Sequence, residues 1–416
     1  MAKKIGIIGG GIVGLSSAYY LVQKGHRVSI LDSGNFTAGC SFHNMGMIVP
    51  SHFIPLASPG MISKGIRWMF DSTSPFYIRP RFDLDLIKWG YQFYLSSSAI
   101  QTRKAIHALR DLSLLSRALY SDLAKELPFD FGFRDRGLMM LYRSREAEHE
   151  EIETARMANE LGIEARVLSH EQVQQMEPNV RVSVKGGVYY PGDAHLMPHQ
   201  LVTGLINYLK EKGVEFISEY SVTGFNTSGD KISGVYSGSM YSEFDEVIIS
   251  AGSWSGHIAK LLNLRIPLQP GKGYSFTSQG MSNTVQVPSI FVEARVAVTP
   301  MADTVRFGGT MELSGFDSKI NMKRISGIVN SIPTYYPDLT IEPPSVSDIW
   351  YGYRPCSPDG LPYIGRPSKI SNLTIATGHA MMGLSLGPAT GKLVCEIVEG
   401  ISPTIGLKPF DPERLR

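Results

Sequence analysis

The chain has 416 residues, 43% of them hydrophobic and 19% charged, with a formal net charge of +2. That length exceeds one compact core and suits two domains, and the near-neutral balance without a long basic run argues against a nucleic-acid partner. Cys40, Cys356 and Cys395 lie far apart with no CxxC pair, which argues against a disulfide framework or a metal site and suits a reducing compartment.

In chain order, residues 4–8 (KIGII) predict a short buried strand, 12–24 a helix stopped by Gly25, and 27–31 a second parallel strand. Lys3 and Lys4 imitate the start of a signal peptide. The apolar run behind them, however, carries Gly9, Gly10, Gly11 and Gly14 and continues into a helical pattern. No run of about eighteen apolar residues is present to span a bilayer, so a soluble or peripheral protein in the cytoplasm is expected. Residues 83–126 are helical by period, and 151–163 form another helix ended by Gly162.

Farther along, 195–217 gives a helix, a stop at Gly213 and a strand, and 244–252 gives a buried strand running into a small-residue turn. Alternating strands such as GYSFTS (273–278) and TVRFGGTMEL (304–313) fill 266–314. Residues 372–379 repeat the buried-strand form before a helix over 387–399. The expected fold is α/β. A discontinuous Rossmann-like domain uses residues 1–50, 196–256 and 345–416, and an α+β domain with a mainly antiparallel sheet uses 51–195 and 257–344.

Gly9-x-Gly11-x-x-Gly14 sits between the first strand and the first helix. Gly9 permits the tight turn, Gly11 lets backbone approach a pyrophosphate, and Gly14 lets the helix pack on the sheet. Ile12 and Val13 begin the helix, whose free N–H groups and dipole favour phosphate. Asp32, followed by Ser33, ends the second strand, where a carboxylate accepts from a ribose hydroxyl and disfavours a 2′-phosphate. A dinucleotide is expected, either NAD or FAD. The polar, small-residue loop over 34–50, with no third strand until about residue 214, favours a long flat cofactor over nicotinamide.

Five segments resemble the bacterial D-amino-acid dehydrogenases in the same order, across nearly the whole chain: 39–70, 271–277, 304–313, WYGYRPCSPDGLPYIGR (350–366) and ATGHAMMGLSLGPATGK (376–392). That family belongs with the D-amino-acid, glycine and sarcosine oxidases among the flavoproteins. The resemblance implies FAD, held without a covalent bond, because the sarcosine-oxidase tether precedes the arginine segment and residue 352 here is glycine. It assigns to the flavin loop Gly39, Cys40, Ser41, Asn44, Gly46, Met47 and Ile48, and to the adenine Val222. The turn Ala251, Gly252 and Trp254, with Gly352 and Gly378, packs on the cofactor, while Met382, Gly383, Leu384 and Ser385 meet the flavin ring.

Arg354 matches the arginine that grips the substrate carboxylate in this group, its competing role being an ion pair with Asp359. Tyr274, Tyr189 and Tyr190 are candidate substrate walls, with ordinary burial as the competing reading, and His43 is either a group titrating near neutrality or, the favoured reading, a residue that caps a turn or packs. Cys40 and Cys356 read as packing residues rather than flavin tethers.

The implied activity is oxidative deamination of a D-amino acid, with D-proline or a hydroxyproline as a candidate. Hydride passes from the α-carbon to flavin N5, giving an imino acid and then an oxo acid, and electrons pass to a quinone or respiratory acceptor. An oxygen-using oxidase and a non-catalytic FAD-binding subunit stand as alternatives. Residues 54–77, apolar with Lys64 and Arg67, form a candidate peripheral membrane contact on the inner face of the cytoplasmic membrane, with a lid or a core helix as the competing reading.

Overall fold

The computed structural model describes residues 1–60 and 76–415. Strands Lys4–Ile8, Arg27–Leu31, Glu215–Ile217, Glu246–Ile249 and Leu373–Thr377 run parallel in one sheet, and Tyr363–Gly365 joins antiparallel at its edge. Lys4–Ile8 lies between Arg27–Leu31 and Glu246–Ile249, so the third parallel strand does arrive near residue 214. Apart from Glu215–Ile217, the parallel strands are short and almost wholly buried, because helices pack on one face and side chains of the segment 220–266 pack on the other.

Helix Ile12–Gln23 follows the first strand, and Gly25 reverses the chain at φ 81°. It packs against the C-terminal helix Gly383–Glu399 at very short range. A Cβ on Gly391 would stand 2.4 Å from the backbone carbon of Ser16, and one on Gly387 would stand 2.9 Å from Ile12 Cγ1. The C-terminal helix begins at Gly383, four residues before the expected start, and a 3₁₀ turn at Ala380–Met382 leads into it. The helical run over 83–126 is two helices, Leu84–Ser96 and Ala99–Glu126. It breaks at Ser98, whose hydroxyl accepts from Gln101 N.

A second sheet, of nine strands among the described residues, is mainly antiparallel. Gln269–Ser278 is central on one side, flanked by Trp350–Cys356 and Thr304–Leu313. Helix Met322–Tyr335 covers one face through Ile325, Ile328 and Ile332. Trp350–Cys356 therefore hydrogen-bonds into this sheet, although a boundary at residue 345 groups it with the cofactor-binding segments. A three-stranded meander, Gly224–Ser228, Lys231–Ser237 and Met240–Glu243, adds to the segment 196–256; its short, half-exposed strands carry little apolar alternation to betray them. Among the described residues, no helix is long and apolar enough to cross a membrane.

Candidate active site

A cavity of about 1260 Å³ runs between the two sheets. At one end it meets the Gly-rich turn. Gly11 precedes helix Ile12–Gln23 with no side-chain cap and no acidic residue in the first turn. That leaves a helix N-terminus suited to phosphate. Gly9 has φ 108°, and a Cβ there would stand 2.6 Å from the Ser250 carbonyl oxygen, so only glycine fits. Gly10 N donates to Asp32 Oδ2 at 2.7 Å and Gly34 N donates to Oδ1 at 2.8 Å, so the carboxylate also shapes the turn. Ile12 N donates to Ser41 Oγ at 2.9 Å, tying the loop after Asp32 to the helix start.

The N-terminus of Gly383–Glu399 also opens on the cavity through Met382, Gly383 and Leu384, again with no side-chain cap and no acidic residue in its first turn. The close Ser16–Gly391 packing brings both helix starts to one cleft.

Of the expected site residues, Gly9, Gly11, Ile12, Val13, Asp32, Ser33, Gly39, Cys40, Ser41, Asn44, Met47, Val222, Ala251, Gly252, Trp254, Tyr274, Gly352, Arg354, Met382, Gly383 and Leu384 line the cavity. Gly14, Gly46, Ile48, Gly378, Ser385 and Tyr189 stand behind its wall. A Cβ on Gly14 would strike the Gly9 oxygen at 2.1 Å, and Gly46, at φ 77°, faces the Leu196 oxygen. Ile48 is in the core. Gly378 packs on Tyr363, and Ser385 Oγ accepts from Val49 N at 3.0 Å. Tyr189 turns away because neighbours on a strand face opposite sides: its hydroxyl donates to Arg136 O, while Tyr190 lines the cavity.

His43 stacks on Trp350 at 5.1 Å. Burial, with the nearby Arg306 and His199, pushes its pKa down to about 4, so it is neutral near pH 7 and packs, the favoured reading, rather than titrating there. Cys40 Sγ sits near Tyr353 O at 3.4 Å and lines the cavity. Cys356 packs on Met311, and burial lifts its thiol pKa to about 11.

Arg354 projects from strand Trp350–Cys356 and lies flat over Gly273, where a Cβ would come within 2.2 Å of its guanidinium. Its Nη1 donates to Thr310 O at 2.6 Å. Asp359 is not its partner. Arg414 takes both Asp359 oxygens, at 2.7 and 2.9 Å, and its guanidinium lies 4.1 Å from the Tyr363 ring centre. Among the described residues, no carboxylate pairs with Arg354, and burial holds its pKa below the usual arginine value. A desolvated cation without a counter-ion is a site for an anion.

Several lining residues carry no signal in sequence. Phe36, at φ 69°, lays its ring over Gly10, 2.2 Å from where a Cβ would be. Ser51 and His52 join the wall, with Ser51 Oγ donating to the buried Asp193 at 2.5 Å. Only an unusual left-handed φ marks Phe36, and sequence does not report φ.

Two uncapped helix N-termini, a glycine cradle, a carboxylate at the end of the second strand and an apolar cleft between two sheets fit a flavin dinucleotide. They define the class as an FAD-binding oxidoreductase. The DAO family of FAD-dependent oxidoreductases matches residues 4–397, and the chain belongs to it. It is 30% identical to the D-amino acid dehydrogenase of Granulibacter bethesdensis, with 96% of each chain covered. It is also 30% identical to that of Neisseria meningitidis, over 95% of this chain and 96% of that one. Among solved structures, glycine oxidase from Geobacillus kaustophilus superposes with a TM-score of 0.80 at 22% identity, covering 99% of both chains. L-proline dehydrogenase from P. horikoshii superposes at 0.75 and 19% identity, covering 99% of this chain and 97% of that one. These two likenesses are of fold.

Proposed function

We propose that the protein oxidises the Cα–N bond of a D-amino acid whose carboxylate is held by Arg354. The product is an imino acid that water hydrolyses to the oxo acid. The carrying observation is Arg354 itself, half-buried in the cavity wall and, among the described residues, without a carboxylate partner, while Asp359 is committed to Arg414. A planar guanidinium grips a carboxylate through two hydrogen bonds and so fixes both position and orientation. FAD, once bound, supplies the two-electron sink.

The chain's own residues bind and orient. The N-termini at Gly11 and Gly383 favour negative charge on the cofactor, Asp32 meets the ribose, and Tyr274, Tyr190 and Met382 wall the cleft. The two-sheet arrangement supports a division of labour, with the parallel sheet holding the cofactor and the large sheet holding the substrate.

Anaerobic mixing with a panel of D- and L-amino acids tests this. Flavin bleaching by D-amino acids is expected, and no bleaching with any member overturns it. Arg354→Ala is expected to raise KM on the order of 100-fold; an unchanged KM removes Arg354 from the site.

The electron acceptor is proposed to be a membrane quinone, as the relatives' name "dehydrogenase" suggests. Helix Leu84–Ser96 supports membrane contact, since Leu84, Ile87, Tyr91, Tyr94 and Leu95 are all exposed beside Lys88. Of the expected contact at 54–77, residues 61–75 lie outside the described residues. Phe76–Ile78 pairs with Met311–Leu313 in the large sheet. Fast reoxidation by oxygen in stopped flow would make the protein an oxidase, and failure to float with anionic liposomes would remove the membrane contact.

A further inference from the structure

The large sheet paves one wall of the cavity beyond Arg354. Gly273, Gly309, Ala297, Ile290 and Met140 line it from five successive strands, Gln269–Ser278, Thr304–Leu313, Val296–Met301, Ser289–Phe291 and Leu138–Tyr142. Neighbouring strands lie about 4.8 Å apart, so this apolar floor runs about 19 Å from Gly273 to Met140. At its far end, helix Arg145–Glu160 packs on strands Leu138–Tyr142 and Gly186–Tyr190 and brings Glu151 to the cavity.

Glu151 is only 9% exposed, yet among the described residues its carboxylate makes no hydrogen bond and no ion pair. Its oxygens meet the open space of the cavity rather than being sealed in the core. Burial lifts its pKa to about 7, as befits a carboxylate held out of water without a partner. Tyr190 lies near it in the cavity wall, its hydroxyl also without a hydrogen-bond partner among the described residues. The charges acting on Glu151 there are Arg295, Glu150 and Glu293, so three carboxylates meet one guanidinium. His52, which also lines the cavity, adds no charge, because burial pushes its pKa down to about 4.

The cavity is thus polarised, with an unmatched cation at Arg354, an unmatched carboxylate at Glu151 and an apolar floor between them. A buried carboxylate without a partner is unfavourable, and a cation bearing N–H donors relieves it. The methylene stem of a long cationic side chain lies along apolar surface while its charged head finds a partner. We infer that Glu151 and Tyr190 form a subsite for the end of the substrate's side chain, selecting amino acids that end in an ammonium or guanidinium group. Glu151 accepts from the cationic N–H groups, and Tyr190 flanks them with its ring and hydroxyl. The inference rests on Arg354 holding the carboxylate and adds the class of substrate.

The test compares D-norleucine, D-lysine, D-arginine and D-glutamate on the flavin-loaded protein, each read by anaerobic flavin reduction at increasing substrate concentration. D-lysine and D-arginine are expected to half-saturate the protein at concentrations roughly 10- to 100-fold below D-norleucine, the worth of a charge-assisted hydrogen bond. Glu151→Gln keeps the shape and removes the charge, and it should erase most of that preference. D-norleucine saturating as readily as the two cationic amino acids overturns the inference, and so does a preference that survives Glu151→Gln intact. A preference for D-glutamate assigns the far end to Arg295 and overturns it as well. If Glu151→Gln does not retain flavin, Glu151→Asp, which draws the carboxylate back by one methylene, takes its place, and an unchanged preference there is equally fatal. No reduction by any of the four, or by D-alanine, overturns the proposed oxidation itself, whereas reduction by D-norleucine with no gain for the cations overturns the subsite alone.

Discussion

Arg354 and Arg414 have opposite circumstances. Arg414 has a bidentate carboxylate and an aromatic face, so its charge is compensated. Breaking that pair strands Asp359 in a mostly buried position. Arg414→Ala is accordingly expected to destabilise the protein by about 3 kcal/mol, measured by chemical denaturation of the flavin-loaded form. A change below about 0.5 kcal/mol would show that Asp359 is hydrated instead. Sequence pointed to Arg354 through the order of motifs around it. It left open an Asp359 partner because the competitor, Arg414, is distant in sequence and close only in space. The glycine turn was fully legible because its chemistry is local: the strand, the turn, the helix start and Asp32 all fall within residues 4–32. Glu151 was not legible, since helix Arg145–Glu160 carries several glutamates and only the fold buries this one against the cavity.

At the scale of elements, the most demanding contact is between helices Ile12–Gln23 and Gly383–Glu399. Gly391 meets Ser16 backbone where no side chain fits. Gly391→Val should push the helices apart and cost about 1–3 kcal/mol, read by thermal melting. Weaker FAD retention should accompany the loss, since the same displacement separates the two helix starts. Retention unchanged alongside lost stability would uncouple the packing from the cofactor. Both helices were visible in sequence by their period, but the start at Gly383 was not. The 3₁₀ turn before it contains Ala380 at φ 47°, a conformation its side chain does not announce.

Across the whole molecule, buried ionisable groups tie distant segments together. Asp193 accepts from Ser51 N and Oγ, joining the loop after Met47–Ile48 to the segment beside Ala194–His195. Its burial lifts the pKa from 3.8 to about 7. The folded state therefore holds this proton more tightly than the unfolded chain. The resulting stabilisation is complete below pH 3.8, declines as pH rises, and is lost by about 7. Asp193→Asn should flatten that decline, so the native protein loses melting temperature relative to the variant between those limits. Parallel curves would show that Asp193 is ionised throughout. The parallel sheet and its interrupted order were legible because each strand is a compact apolar run. Where strand Trp350–Cys356 belongs was not, for its partner Gln269–Ser278 lies far upstream.

The locked helix pair carries one more consequence, for cofactor length. Gly387 and Gly391 fix the spacing between the helix starts at Gly11 and Gly383, which we propose face the cofactor's phosphates and its ring. Two anchors held at a set distance act as a caliper. A ligand long enough to touch both gains from each, whereas a mononucleotide such as FMN engages only one. Protein freed of flavin should therefore take up FAD and leave FMN in solution, and the discrimination should weaken in Gly391→Val, where the jaws no longer keep their spacing.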